Sequence, residues 1–219
     1  NGDDVWITTR NDNVETNVNK GNIFVCDLTN NKINFGHFNV VINCSGILDS
    51  DENWEDFSRN NCSTIENIIR NVSCEKFIHL SSCSVFSNEY IGSNQNIKKN
   101  FYGLSKHVSE KIFEILSHKF PASITIRFPI VLGYKKIYSD IIKYIYTESK
   151  KNKEIHLFGN GDYYRNVIHI TEAISAIIAA INNKSIFGYH AINAGSINSV
   201  KVVEYCKFII NYNHSQSII

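Results

Sequence analysis

Two periodicities alternate along the chain. Apolar runs of strand length occur at DVWITT (4–9), NIFVCDLT (22–29), VVINCSG (40–46) and KFIHLSS (76–82). The run at 40–46 is nearly unbroken, the pattern of a strand covered on both faces of a parallel sheet. Between such runs the spacing becomes helical. Residues 53–72 carry Trp54, Phe57, Ile65, Ile68 and Ile69 on a helical period, and residues 101–118 carry Leu104, Val108, Ile112, Ile115 and Leu116. SITIRFPIVLG (123–133) predicts a strand broken at Pro129, and a helix follows over about 138–150. Residues 154–170 predict two short strands around a Gly-Asn-Gly turn. A helix over 171–181 starts at Thr171 as its cap, YHAINAG (189–195) is strand-like, and 199–210 is a last helix.

Strands alternating with helices up to residue 133 predict an α/β chain built on a parallel sheet. Beyond that point the elements are shorter and mixed. The expected division is a main domain over 1–133 and a smaller mixed α/β region over 134–219, with some segments of the latter returning to the main sheet.

Composition narrows the partners. The net charge is +1 and charged residues make up 20%, which gives no reason to expect nucleic acid or an anionic membrane as the main partner. No run approaches the ~18 apolar residues of a membrane span. The six cysteines, at 26, 44, 62, 74, 83 and 206, form no CxxC pair and have no zinc-type spacing with histidine, so no metal is expected. They are read as reduced thiols of a cytoplasmic protein, with Cys26 and Cys44 buried in strands.

The candidate chemistry starts from FYGLSKHVSEKIFEIL (101–116). Tyr102 and Lys106 are one helical turn apart and lie off the apolar stripe. An ammonium beside a phenol favours the phenolate, so such a tyrosine can exchange a proton with a substrate oxygen near neutral pH. Ser81 and Ser82 end the strand before this helix, at the carboxyl edge where open parallel sheets bind ligands. A serine there can hold the same substrate oxygen. Together the three suit hydride transfer at an oxygen-bearing carbon.

These residues carry a resemblance to the extended short-chain dehydrogenase/reductase family, the NAD(P)-dependent nucleotide-sugar epimerases, dehydratases and reductases. VCDLTN resembles the family's strand ending in Gly-Asp-Leu, VVINCSG its VIHLAG, FIHLSSCSVF its FVxxSSxxVYG and FYGLSK its PYGxSK. ITIRFPIVLG resembles xxLRPxNVYG, and LFGNGDYYRNVIHI resembles xxGxGxxxRDYIHV. The resemblance implies a Rossmann-like, doubly wound sheet. It makes Ser82, Tyr102 and Lys106 the catalytic set, with Tyr102 and Lys106 also touching the cofactor. Asp27, Leu28, Ser45, Gly46, Pro129 and Val131 would lie along the dinucleotide. Ser82, Cys83 and Arg165 would face the substrate, Arg165 on the diphosphate of a nucleotide sugar. Arg10, ending its strand where NAD-binding members usually have an acid, favours NADP over NAD. The family pairs the helices at 53–72 and 101–118 in a homodimer, so Phe113 and nearby apolar positions are expected to be under-buried in a monomer. Several departures qualify the match. The family's first strand and its glycine-rich phosphate turn are missing, which leaves the strands at 4–9 and 40–45 without their central neighbour and marks the chain as a fragment. Asn166 replaces an aspartate, and Cys83-Ser84 replaces the acidic pair of the 4,6-dehydratases. The expected activity is therefore a nucleotide-sugar epimerase or ketosugar reductase. The alternatives are an NADP-dependent carbonyl reductase of the steroid or dihydroflavonol type and a non-catalytic dinucleotide sensor.

Overall fold

The computed structural model describes residues 4–10, 22–30, 34–48, 53–86, 101–133 and 140–219. Its described residues fall into two compact units. The first draws on Asn1–His79, Val85–Ser123 and Phe187–Tyr189, the second on Leu80–Ser84, Ile124–Ile186 and His190–Ile219. A parallel central sheet has the strand order β3 (Gly36–Asn43), β4 (Val72–Ser82), β5 (Ala122–Phe128), β9 (Gly188–Asn193). With its helices this is the α/β fold that the alternation of periods predicted, in the Rossmann-like form that the resemblance implied.

In the first unit, β1 (Ile7–Thr9) and β2 (Ile23–Val25) pair in parallel as a separate two-stranded sheet. Among the described residues β1 pairs only with β2, and β3 pairs only with β4. A cavity of about 400 Å³ is lined by Trp6, Ile7 and Phe24 from one sheet and by Val40, Val41 and Ile42 from the other. Among the described residues no strand thus stands between those at 4–9 and 40–45. The expected burial of VVINCSG on both faces is corrected for the same reason: Ile42 is 38% exposed and Cys44 is exposed. Cys26 is only half-buried, so the reading of both cysteines as strand-core residues does not hold.

The predicted helix at 53–72 is three pieces. α1 (Trp54–Phe57) is capped by Asn53, whose side chain accepts from the Glu55 amide; a π-helical segment follows over Ser58–Ser63, then α2 (Thr64–Asn71). The core of this unit gathers Ile65, Ile68, Ile69, Cys74, Phe77, Phe113 and Phe120. α3 (Phe101–Leu116) packs through its polar face and leaves its apolar stripe under-buried, as expected for the positions near Phe113. Its buried residues are Gly103, Ser105, Lys106, Ser109, Glu110 and Phe113, whereas Leu104, Val108, Ile112 and Leu116 are half-buried and Ile115 is 70% exposed. Phe113, expected to be under-buried, is fully buried, with ring centroids 5.0 Å from Phe77 and 5.8 Å from Tyr189. The polar face packs because each of its serines finds a partner.

In the second unit β6 (Ile130–Leu132) pairs in parallel with β8 (Val167–His169), and β7 (Tyr164–Arg165) pairs antiparallel with β10 (Val200–Lys201). Its remaining helices are α4 (Asp140–Lys150), α5 (Ile170–Asn182) and α6 (Val202–Tyr212), and Ile145, Ile155, Val202 and Cys206 form a core. No strand precedes the Gly-Asn-Gly turn: Glu154–Leu157 stay irregular and Phe158–Gly161 form a 3₁₀ turn with Gly159 and Asn160 at φ 55° and 53°. The α5 cap is His169 rather than Thr171. The Glu172 carboxylate accepts from the His169 amide at 2.7 Å, closing a capping box. Among the described residues no helix is long and apolar enough to cross a membrane, and no group of three or more His, Cys, Asp or Glu is placed to hold a metal ion.

Candidate active site

The carboxyl ends of β1, β2 and β3 meet at a second cavity of about 190 Å³. Its lining includes Arg10, Leu28, Ser45, Gly46 and Asn60. Arg10 donates to the Asn60 Oδ1 at 2.8 Å and lies 3.5 Å from the Asp27 carboxylate. Asp27 accepts from the Thr29 amide at 3.0 Å and its hydroxyl at 2.9 Å. The Thr29 amide, then its hydroxyl, hold the Asp27 carboxyl below its ordinary range, with smaller pulls from Arg10 and Arg59. Five sequence candidates, Arg10, Asp27, Leu28, Ser45 and Gly46, are therefore gathered at one place. Asn60 was not among them. It enters because the π-helical turn adds a residue to the helix and aims it at Arg10, a device common at functional sites.

A close backbone approach defines the Ser45–Ile47 turn. Gly46 has φ +138°, and a Cβ there would lie 2.8 Å from the Asn61 Oδ1. The crowding reflects tight hydrogen bonding: the Ile47 amide donates to the Asn61 Oδ1 at 2.7 Å, and the Asn61 Nδ2 donates to the Ile47 carbonyl at 3.1 Å. The same Nδ2 reaches the Ser105 Oγ at 2.8 Å, which itself donates to the Tyr102 carbonyl at 2.8 Å. The turn is thus tied to the stretch of α3 that bears Tyr102. Gly46→Ala is expected to push Asn61 off the Ile47 amide, at a stability cost of about 1–3 kcal/mol. Thermal melts check this; an unchanged melting temperature would mean that the turn absorbs a Cβ without losing the Asn61 bonds.

Lys106 is 6% exposed. Burial pushes its ammonium down to about 8, a shift partly opposed by the Glu110 carboxylate and then by Cys62 and Cys44. Tyr102 is half-buried, its ring centroid 6.4 Å from that of Phe57. Burial pushes the Cys62 thiol up to about 11, which leaves it unreactive.

The other candidates lie in the second unit. Ser82 Oγ accepts from the Ser84 amide and donates to the Ser84 Oγ, both at 3.1 Å. Ser81 Oγ is the one buried side-chain oxygen without a hydrogen-bond partner among the described residues. Cys83 is half-buried, its Sγ 3.8 Å from the Arg127 carbonyl. Pro129 separates β5 from β6, and Val131 pairs with Ile168. Arg165 is exposed on β7, its guanidinium stacked 4.8 Å from the Tyr163 ring centroid. Asn166 beside it explains one departure from the family pattern. Its Nδ2 donates to the Ser196 carbonyl at 2.7 Å while its Oδ1 accepts from the Ser196 amide at 2.9 Å, and an ionised aspartate could do only the second.

Sheet, helices and the cluster at the strand ends define a Rossmann-like α/β protein. The chain belongs to the NAD dependent epimerase/dehydratase family, whose model matches residues 1–195. Solved structures share the fold. The UDP-glucuronic acid 4-epimerase of Bacillus cereus, in complex with UDP-glucuronic acid and NAD, is 18% identical, with a TM-score of 0.71 over 90% of this chain and 67% of its own. The UDP-N-acetylglucosamine 4-epimerase of the same organism is 18% identical at TM-score 0.70, over 97% of this chain and 75% of its own. The Bordetella bronchiseptica enzyme WbmF, in complex with NAD+, is 13% identical at TM-score 0.70, over 97% and 71%. A comparison with curated protein sequences finds no match.

Proposed function

We propose that the chain carries the site of an NAD(P)-dependent nucleotide-sugar epimerase. The observation that carries this reading is the buried Lys106, one turn from Tyr102 on α3, whose turn is tied through Ser105 and Asn61 to the Ile47 backbone beside Gly46. The match to the family and the likeness to UDP-sugar 4-epimerases support it. A bound dinucleotide supplies the hydride acceptor and donor. It fits the Gly46 turn, where the backbone is bare and any Cβ would collide with Asn61. Asp27 and Leu28 would hold its adenine and Arg10 its ribose side, with Ser45 and Gly46 along it, and the resemblance assigns Pro129 and Val131 to its nicotinamide end.

Tyr102 takes the proton from a sugar hydroxyl and returns it to the same oxygen when the ketone is reduced again, whichever face the ketone then presents. Lys106 keeps the phenolate accessible and binds ribose. The resemblance gives Ser82 the part of holding a sugar oxygen, for which it would give up its bond to Ser84. Cys83 lines the substrate side. Arg165, with its plane already fixed by Tyr163, receives the diphosphate as a bidentate donor. Arg10 supports a preference for NADP, through the 2′-phosphate, although Asp27 at 3.5 Å offsets part of its charge. A homodimer through the helices at 53–72 and 101–118 is part of the proposal; the exposed Ile115 and half-buried Leu104 and Val108 support it. So are the division at residue 133 and a cytoplasmic location.

Incubation with UDP-glucose, UDP-glucuronic acid or UDP-N-acetylglucosamine and catalytic NAD or NADP, followed by proton NMR of the anomeric region, tests the function. Appearance of the C4 epimer is the expected result. Consumption of stoichiometric NADPH on a keto-sugar without epimer would move the assignment to a reductase. Reduction of an uncharged ketone alone would favour the carbonyl-reductase reading. Dinucleotide binding with no turnover of any of these would favour a sensor.

A further inference from the structure

A second run of hydrogen bonds joins the Ser45 turn to α3, and it passes through a histidine that the proposed chemistry does not use. Ser45 donates to the Asn43 Oδ1 from its amide at 3.0 Å and from its hydroxyl at 2.5 Å. The Asn43 Nδ2 lies 3.1 Å from the His79 Nδ1. The His79 Nε2 lies 3.1 Å from the Ser109 Oγ, and Ser109 donates to the Lys106 carbonyl at 2.8 Å. An amide nitrogen can only donate, so the His79 Nδ1 accepts and its Nε2 carries the proton. Every donor in the run then has one acceptor, and the direction is single: Ser45, Asn43, His79, Ser109, Lys106. All the side chains between the ends are buried: Asn43 is 4% exposed, His79 1% and Ser109 0%. Burial first, and then the neighbouring Lys106, hold His79 far below its ordinary range, so the ring stays neutral as the run requires.

We propose that His79 is a positioning residue, which fixes the Lys106 turn of α3 against the Ser45–Gly46 turn by accepting from Asn43 and donating to Ser109. This rests on reading Lys106 and Ser45–Gly46 as parts of one dinucleotide site. The Asn61–Ser105 run reaches the same helix at Tyr102, one turn earlier. Two contacts from one loop to successive turns set both distance and rotation of the helix, where one would leave it free to pivot. A buried imidazole suits this because its acceptor and donor sit on opposite sides of a rigid ring, spanning from strand to helix without rotamer freedom.

The test compares His79→Leu, which removes both bonds, with His79→Gln, whose amide keeps one acceptor and one donor. Amide hydrogen exchange is read at Ser45 and across the 102–110 turns, with and without dinucleotide. In His79→Leu, exchange at the Ser45 amide is expected to quicken about 10-fold, the loss of a single hydrogen bond. Turnover is expected to fall about 100-fold, the effect of a small misplacement, with KM for the nucleotide sugar little changed. His79→Gln is expected to recover both. Ser109→Ala cuts the run without removing the ring and is expected to quicken exchange at Ser45 as well, so a poorly folded His79→Leu leaves the question decidable. Unchanged exchange at Ser45 in His79→Leu and Ser109→Ala would overturn the proposal. So would His79→Gln as impaired as His79→Leu, or exchange quickened evenly through β4 and α2, the mark of a merely structural ring. A wild-type chain that turns over no nucleotide sugar would sink the proposed function, while the exchange measurements would still decide the role of His79.

Discussion

Tyr102→Phe is expected to lower nucleotide-sugar turnover by about 10²- to 10⁴-fold, the range for loss of one positioned general acid–base. Dinucleotide affinity should change little. The reason lies in what the substitution removes. The phenol oxygen goes, but the ring that sits 6.4 Å from Phe57 stays, and so does the backbone carbonyl that accepts from Ser105. The helix turn and the Gly46 loop are therefore left in place, and the loss falls on the proton transfer. Single-turnover kinetics beside dinucleotide titration separate the two. Turnover within about twofold of wild type would remove Tyr102 from the mechanism.

What was legible in the sequence followed from period and spacing. β4, α3, α5 and α6 fall close to where the apolar patterns put them, because each carries a long periodic signal. The gathering of Arg10, Asp27, Leu28, Ser45 and Gly46 followed from where parallel strands end, through a resemblance rather than through any local pattern. The rest was not legible because burial here does not follow apolarity. α3 buries Ser105, Lys106, Ser109 and Glu110 because Asn61 and His79 sit opposite its two serines, and no window of local sequence holds both partners. β3 reads as a two-sided core strand, yet one edge faces a cavity, and only the pairing of β1 with β2 alone reveals that. The π-helical turn at Ser58–Ser63 has no sequence signal of its own, although it delivers Asn60 and Asn61 to the site. His169 displaces Thr171 as a cap since its ring nitrogen reaches the Thr171 amide, at 3.4 Å.

Lys106 makes stability depend on pH with a definite sign. The unfolded chain holds this ammonium with its ordinary value of 10.5, whereas burial brings it to about 8 in the fold. Between these limits the unfolded state binds more protons than the folded one, so stability rises as pH rises through that window. Below about 8 the lysine is charged in both states and the fold carries the full desolvation cost. The gap corresponds to on the order of 3 kcal/mol. Lys106→Met keeps the stem and removes the charge, so at pH 7 it is expected to be more stable than wild type, as when a buried charge gives way to an apolar residue of similar size. That advantage should shrink steadily between pH 8 and 10.5. Taking the difference between the two proteins cancels the other lysines, tyrosines and thiols that titrate there. Urea unfolding at several pH values from 7 to 10.5 measures it, and a difference that stays flat across the window would mean that Lys106 is not desolvated. The same variant should lose turnover at every pH, because the cation proposed to act beside Tyr102 is gone. A more stable and less active Lys106→Met is the combination expected of a charge kept in a buried place for its chemistry, since a lysine serving the fold alone would lose stability when replaced.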